Sequence, residues 1–539
     1  MKRGRMAAVA ITVAAGVLAG CTGGTHNQQT ADSAKGGAAP GYAEGGGSAP
    51  GDVASAKPTE PADFRSTFAL DVDTASYSYA RRTLSDGARP APRTVRTEEF
   101  VNSFPQGYRR PKGDGFSVSA DGARTGAADW SLMRVGLATK KSDPKAPRRP
   151  AALTFVLDVS GSMAEPGRLD LVKSALRTAA DELRGSDSVS LVTFSGEAET
   201  LLPMTRLDDG GRGRLRAAVA ELEPQSSTNL GAGMKEGYRQ AAEHRRSGAT
   251  NRVVLMSDAL ANTGETDAEA ILDEVARHRK EQGISLFGVG VGSHYGDALM
   301  ERLTNKGDGN TVYLSTRREA GEVFVNQLPR NIQLRARDAK AQVVFDRDAV
   351  ADFRLLGYEN REVADEDFRD DSVDGGEVGP GHTVTALYAV RLKDGATGRA
   401  ATATVRWLDP DSRKPHEESR TVATTALTGG DLWTDADVSP YLRLSAVAAY
   451  FADALRTGKG GSSPDPAPDP DNGTGSDTDT DSELGPGAES GPAKPAVEPL
   501  PAAPSLGKLR READRLAEDP GLRSAAGLAK DISRAQRVH

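Results

Sequence analysis

Leu153-Thr154-Phe155-Val156-Leu157-Asp158-Val159-Ser160-Gly161-Ser162 is the stretch whose reading decides the fold. Its apolar first half, rich in β-branched and aromatic residues, predicts a strand, and the carboxylate and hydroxyls that follow predict a loop at the strand's carboxyl end. Ser160 and Ser162 stand two and four residues beyond Asp158, and Gly161 lets the loop curl so that all three oxygens turn to one point. Hard oxygens in that arrangement suit a small divalent cation, Mg²⁺ first, with Mn²⁺ or Ca²⁺ as alternatives. The competing reading is that the hydroxyls cap the next helix.

Two distant segments bear on the choice. Pro224-Gln225-Ser226-Ser227-Thr228-Asn229-Leu230-Gly231 is a polar loop entering the helical pattern from Ala232 to Glu243, so Thr228 stands just before a helix start. Arg252-Val253-Val254-Leu255-Met256-Ser257-Asp258 is a second apolar strand ending in a carboxylate. Neighbouring strands of a parallel sheet share one carboxyl edge, where Asp158, Ser160, Ser162, Thr228 and Asp258 can converge. Leu169, Val172, Leu176, Ala179 and Leu183 repeat at helical spacing, and further strands are expected at 188–194, 284–291 and 311–314. Strands alternating with helices predict an α/β fold with a doubly wound, mostly parallel sheet. Gly288-Val289-Gly290-Val291-Gly292 lies inside one of these strands and ends on Ser293, so strand packing explains it better than dinucleotide binding.

These segments resemble a von Willebrand factor type A domain with a metal-ion-dependent adhesion site, whose pattern is D-x-S-x-S, then a Thr, then an Asp. The resemblance implies Ser160, Ser162 and Thr228 as hydroxyl ligands, with Asp158 and Asp258 acting largely through waters. One departure is Ala259, where the family often carries Gly. Ser66-Thr67-Phe68-Ala69-Leu70-Asp71-Val72-Asp73-Thr74-Ala75-Ser76-Tyr77, Glu98-Glu99-Phe100-Val101-Asn102, Gly357-Tyr358-Glu359-Asn360-Arg361 and Gly381-His382-Thr383-Val384-Thr385-Ala386-Leu387-Tyr388 are similar to the flanking regions of YfbK-like bacterial lipoproteins. That likeness covers residues from about 60 to about 455.

At the amino end, Lys2, Arg3 and Arg5 precede an apolar stretch from Met6 to Leu18, too short to span a bilayer and suited to a signal-peptide core over residues 1–20. Leu18-Ala19-Gly20-Cys21 resembles a lipobox, and Cys21, the single cysteine of 539 residues, is the expected lipid attachment point. Cleavage there makes the chain three charges more negative, −11 from −8, which argues against nucleic acid as a partner. Residues 21–60, rich in Gly, Ala and Ser, read as a flexible tether of about 35 Å reach. The expected location is the extracytoplasmic face of the cell membrane.

The rest divides into a small α+β region at 61–112, β segments at 113–148 and 331–430, the α/β domain at 149–330, and helical pieces at 431–458 and 505–539. Period-2 alternation before and after the α/β domain, as in Thr402-Ala403-Thr404-Val405-Arg406-Trp407, predicts that the two β segments form one β-sandwich into which the α/β domain is inserted. Residues 459–504, dominated by Gly, Ser, Pro and Asp, read as a disordered acidic insert between two helices that pack together.

Asp71-Val72-Asp73-Thr74 superficially resembles a phosphatase nucleophile loop, but helix capping by Asp73 or Thr74 is the better reading. No G-x-S-x-G follows a strand, and the seven histidines show no metal-ligand spacing. The expectation is therefore a non-enzymatic, membrane-anchored protein whose metal accepts an Asp or Glu carboxylate from a protein partner. The alternatives are an assembly lipoprotein whose metal only stabilises the fold and, last, an envelope enzyme.

Overall fold

In the computed structural model of this chain, the described residues are 64–126, 129–142, 148–258, 265–292, 297–458 and 500–538. The expected signal peptide, Cys21, the tether, Ala259 and nearly all of the 459–504 insert lie outside them. Among the described residues no helix is long and apolar enough to cross a membrane.

Strands β1 (Arg65–Ala69), β2 (Phe116–Arg124) and β3 (Trp130–Thr139) precede the α/β domain. That domain contributes β4 (Ala151–Asp158), β5 (Ser188–Phe194), β6 (Ala198–Arg206), β7 (Thr250–Ser257), β8 (Ser285–Val291) and β9 (Asn310–Leu314). After it come β10 (Ala336–Phe345), β11 (Val350–Leu356), β12 (Gly376–Val378), β13 (Thr383–Leu392), β14 (Arg399–Leu408) and β15 (Pro415–Ala423).

The six α/β strands form one sheet in the order β6-β5-β4-β7-β8-β9, parallel except for β6. Alternate residues of β4 enter different cores. Leu153, Phe155 and Leu157 pack with Leu169, Val172 and Leu176 of the helix Leu169–Glu182, whereas Val156 packs with Met234 and Tyr238 of the helix Leu230–Glu243. A strand covered on both faces is apolar at most positions, which is why its sequence shows no alternation. Strand β6 and the helix Asp209–Glu221 are not evident from the sequence; residues 194–199 read as a loop, yet only 195–197 separate β5 from β6. Pro203 and a half-exposed face obscure the strand, and both are tolerated because β6 is an edge strand whose register with β5 shifts.

Outside this sheet the chain builds two antiparallel sheets, β1-β10-β14-β15 with β12 on β10, and β11-β13-β3-β2. Strand β3, before the α/β domain, pairs along its length with β13, beyond it, from Trp130 opposite Arg391 to Ala138 opposite Thr383. Met133, Val135 and Leu137 of β3 share a core with Ala341, Val343, Ala403 and Val405 of the other sheet. The α/β domain is thus an insertion in a β-sandwich-like framework.

A third core gathers the terminal helices. The helix Pro440–Thr457 is buried at every residue from Leu442 to Leu455, because neighbours cover it all round. It packs with the helix Leu506–Leu516 through Leu444, Phe451, Leu455, Leu506, Leu509 and Leu516. Glu98, on the helix Thr97–Asn102, is buried beside this core.

Burial, reinforced by the nearby carboxylates Glu359 and Asp71, raises the Glu98 carboxyl from its ordinary 4.5 to about 7. The folded state therefore holds this proton more tightly than the unfolded chain. Its contribution is fully present below about pH 4.5 and is lost as pH rises through about 7, a change of about 3 kcal/mol. Glu98→Gln is expected to flatten that slope and raise stability at pH 8, read from urea unfolding at pH 5 and pH 8. An unchanged slope in the variant would assign the pH dependence to other groups.

Candidate metal centre

Strand β4 lies at the switch point of the inserted sheet: the chain passes from it to β5 on one side and returns as β7 on the other. Pairing of Leu157 with Met256 puts Asp158 and the β7 terminus side by side, and Ser257 Oγ donates to Asp158 Oδ2 at 2.6 Å. Asp158 Oδ1 accepts from the Ser160 backbone N–H at 2.9 Å, which curls the loop back over the strand end. Ser160 Oγ then stands 3.1 Å from Ser162 Oγ. Gly161 opens a single 3₁₀ turn, Gly161–Ala164, whose N-cap residue Ser160 makes no side-chain capping bond, so its hydroxyl is not used as a helix cap.

The loop 224–229 is stitched to the same edge. Gln225 N–H donates to Val159 O and Asn229 N–H to Ser195 O, each at 2.6 Å, while Ser195 Oγ donates to Gln225 Oε1 at 2.7 Å. Asn229, rather than Thr228, caps the helix Leu230–Glu243, accepting from Ala232 N–H. Thr228 is half-buried in this stitched loop, and among the described residues no hydrogen bond joins it to the other four positions. Asp158, Ser160 and Asp258 are fully buried, whereas Ser162 and Thr228 are half-buried, so the hydroxyl side of the cluster faces outward.

Two features favour a cation here. Asp258 Oδ1 is buried and accepts no hydrogen bond among the described residues, although its partner oxygen does. A buried carboxylate oxygen without a donor is costly, and a metal or a metal-bound water removes that cost. The serine hydroxyls share a hydrogen bond at 3.1 Å, a separation that is also close to the ~3.0 Å edge of an octahedron with Mg²⁺–O bonds of about 2.1 Å. Burial, with a smaller push from Asp258, holds the Asp158 carboxyl above its ordinary range against the hydrogen bonds from Ser160 and Ser257.

Sequence reasoning missed Arg168. The side chain is almost fully buried and donates Nη1 to Asp258 Oδ2 at 2.6 Å and to Ser162 O at 3.0 Å, while Nη2 pairs with Glu165 at 2.6 Å. Gly292, with φ +83°, gives the guanidinium room, since a Cβ there would lie 2.6 Å from Arg168 Nε. Nothing in the local pattern signals this arginine, because its partner lies 90 residues away. The two central carboxylates and Arg168 leave the site with a formal charge of −1.

Residues 152–327 match the von Willebrand factor type A domain, residues 331–427 match the family model for the C-terminal part of uncharacterized protein YfbK, and residues 55–133 match a further von Willebrand factor model. Uncharacterized protein YfbK of Escherichia coli (strain K12) is 35% identical over 337 residues, covering 60% of this chain and 58% of that protein. The chain thus carries a von Willebrand factor type A domain, followed by a region that matches the C-terminal part of YfbK. The uncharacterized protein sll0103 of Synechocystis is 27% identical over 36% of this chain and 44% of its own length. The chain spans about half the length of the curated relatives it matches. Among solved structures, a von Willebrand factor type A protein from Catenulispora acidiphila aligns over 64% of this chain and 84% of its own at 14% identity, with a TM-score of 0.44. The ArnB paralog VWA2 from Sulfolobus acidocaldarius aligns over 78% and 96% at 15% identity, with a TM-score of 0.38.

Proposed function

We propose that this protein is a non-enzymatic binding protein that captures a protein partner through a divalent metal, Mg²⁺ in the first instance, at the carboxyl edge of the inserted sheet. A von Willebrand A domain is a module of protein interaction and adhesion, and the observation that carries the metal reading is the buried, donor-less Asp258 Oδ1 beside two hydroxyls at octahedral spacing. Ser160, Ser162 and Thr228 would supply neutral oxygens, with Asp158 and Asp258 behind them. When bound, the cation offers an open coordination position to an Asp or Glu carboxylate of the partner. Neutral hydroxyls facing outward leave its positive charge available on that side, while Arg168 further reduces the negative charge behind it. The loop around 164–167 and the stitched loop 224–229 border the outward side and would set selectivity. Cys21, carrying a lipid, would hold the folded body at the outer face of the cell membrane.

Calorimetric titration with Mn²⁺ tests the site directly. Asp158→Ala is expected to lose one bound ion, and Ser160→Ala with Ser162→Ala to weaken that ion at least tenfold without changing charge. Capture from envelope extracts, with and without EDTA and with Asp158→Ala, tests the partner. A partner retained equally in all three samples would exclude metal-dependent binding. Metal-dependent melting with no metal-dependent partner would assign the ion a structural role.

A further inference from the structure

We propose a second divalent-cation site, suited to Ca²⁺, formed by Asp71, Asp73 and Glu301. One carboxylate oxygen from each lies within 4.8 Å of the others, and all three residues are buried. Asp73 does not cap the following helix, and Thr74, its N-cap residue, makes no side-chain capping bond. Instead Asp73 Oδ1 accepts from Thr311 N–H at 2.9 Å, in a residue only 1% exposed, while Oδ2 accepts no hydrogen bond among the described residues. Arg361 Nη2 stands 3.7 Å from that oxygen, beyond hydrogen-bonding reach, because Arg361 Nε is engaged with Asp71 Oδ2 at 3.2 Å.

Charge accounting points the same way. Among the ion pairs of the described residues, Arg361 faces Asp71 and Asp73, and Arg96 is divided between Glu99 and Glu301, so four carboxylates meet two guanidiniums. A buried excess of negative charge is resolved by protonation or by a cation. Asn360 and Asn305 donate their Nδ2 groups to Glu301 Oε1 at 2.7 Å and 3.3 Å, which fixes this carboxylate in place. Oxygens on opposite sides of a Ca²⁺ ion stand about 4.6–5.2 Å apart, against about 4.2 Å for Mg²⁺. Ligand oxygens all within 4.8 Å of one another fit round one ion of that size.

This site is separate from the centre at Asp158. Thr311 is the second residue of β9, so Asp73 is held near the amino edge of the parallel strands, and Asp158 ends β4 at the opposite edge. Asp71 and Asp73 follow β1 of the sandwich, and Glu301 belongs to the helix Asp297–Lys306 of the inserted domain. A cation here would clamp the two together.

Calorimetry and thermal melting of the full chain with Ca²⁺ test this in an Asp158→Ala background, where the other centre is disabled. That chain is expected to bind one Ca²⁺ and to melt at higher temperature with it. Adding Asp73→Asn should abolish both responses, and Glu301→Gln should weaken binding at least tenfold. Asparagine keeps the oxygen that accepts from Thr311 and removes a like charge, so the Asp73 variant should fold without Ca²⁺, as circular dichroism will report. If it does not fold, Glu301→Gln decides. Absence of Ca²⁺ binding in the Asp158→Ala chain, or binding unchanged by Glu301→Gln, overturns the proposal. Asp73-dependent binding without any Asp158-dependent ion would leave this site standing and remove the adhesion-type reading.

Discussion

Arg168→Met is expected to destabilise the metal-free protein by about 3–5 kcal/mol, and excess Mg²⁺ to restore part of the loss. Arg168 is almost fully buried and bonded to Asp258, which has no exposure of its own. Methionine fills much of the arginine stem's volume but leaves the Asp258 carboxylate buried without its counter-charge. A divalent cation at the neighbouring hydroxyls supplies charge to that same carboxylate. Removal of the guanidinium also takes the formal charge of the site from −1 to −2, so the variant should bind Mg²⁺ more tightly than the wild type. Urea unfolding with and without Mg²⁺, together with calorimetric titration, reads both effects. Unchanged metal-free stability with unchanged Mg²⁺ affinity would show that Arg168 is not the internal counter-charge of the site.

Arg252 and Glu377 carry the second large expected effect. Arg252 Nη2 pairs with Glu377 Oε2 at 2.7 Å, and each side chain is 1% exposed. Arg252 belongs to β7 of the inserted sheet and Glu377 to β12 of the sandwich, so the pair fastens one to the other. Burial lowers the Arg252 pKa from its ordinary value and Glu377 opposes that, so this carboxylate offsets the cost of burying the guanidinium. Glu377→Gln is expected to cost about 3–5 kcal/mol, since it leaves a guanidinium buried with a neutral partner. Replacing both, Arg252→Met with Glu377→Leu, should recover most of the loss, because two apolar groups need no compensation. A double variant as unstable as the single one would place the cost in packing rather than in uncompensated charge.

Most of the architecture was legible in local pattern. Residues 153–157 and 253–256 announced central strands because a strand covered on both faces strongly favours apolar side chains. Leu506, Leu509, Ala513 and Leu516 marked one face of a helix, and all four are buried. Strand β6 was not legible, because an edge strand is half wet and its Pro203 reads as a breaker. The same division holds at the candidate centre. Asp158, Ser160 and Ser162 are set by one turn of chain, and the structure brings Asp158 beside the β7 end and the two serine hydroxyls together. Thr228 reaches the same edge through backbone bonds of its neighbours Gln225 and Asn229, and its own hydroxyl makes no bond to the other four among the described residues.

Sequence alone determined the periodicities, and through them an α/β sheet set within β-rich flanks, together with the run of oxygens after β4. These are local properties, fixed by which faces of a strand or helix meet water and by how far a short loop reaches. Only the tertiary structure decided which charges compensate which. It placed Arg168 against Asp258, Arg252 against Glu377, and Glu301 beside Asp71 and Asp73, across 90, 125 and more than 200 residues of chain. Coulombic compensation depends on distance in space and on the exclusion of water, and neither leaves a trace in the order of residues.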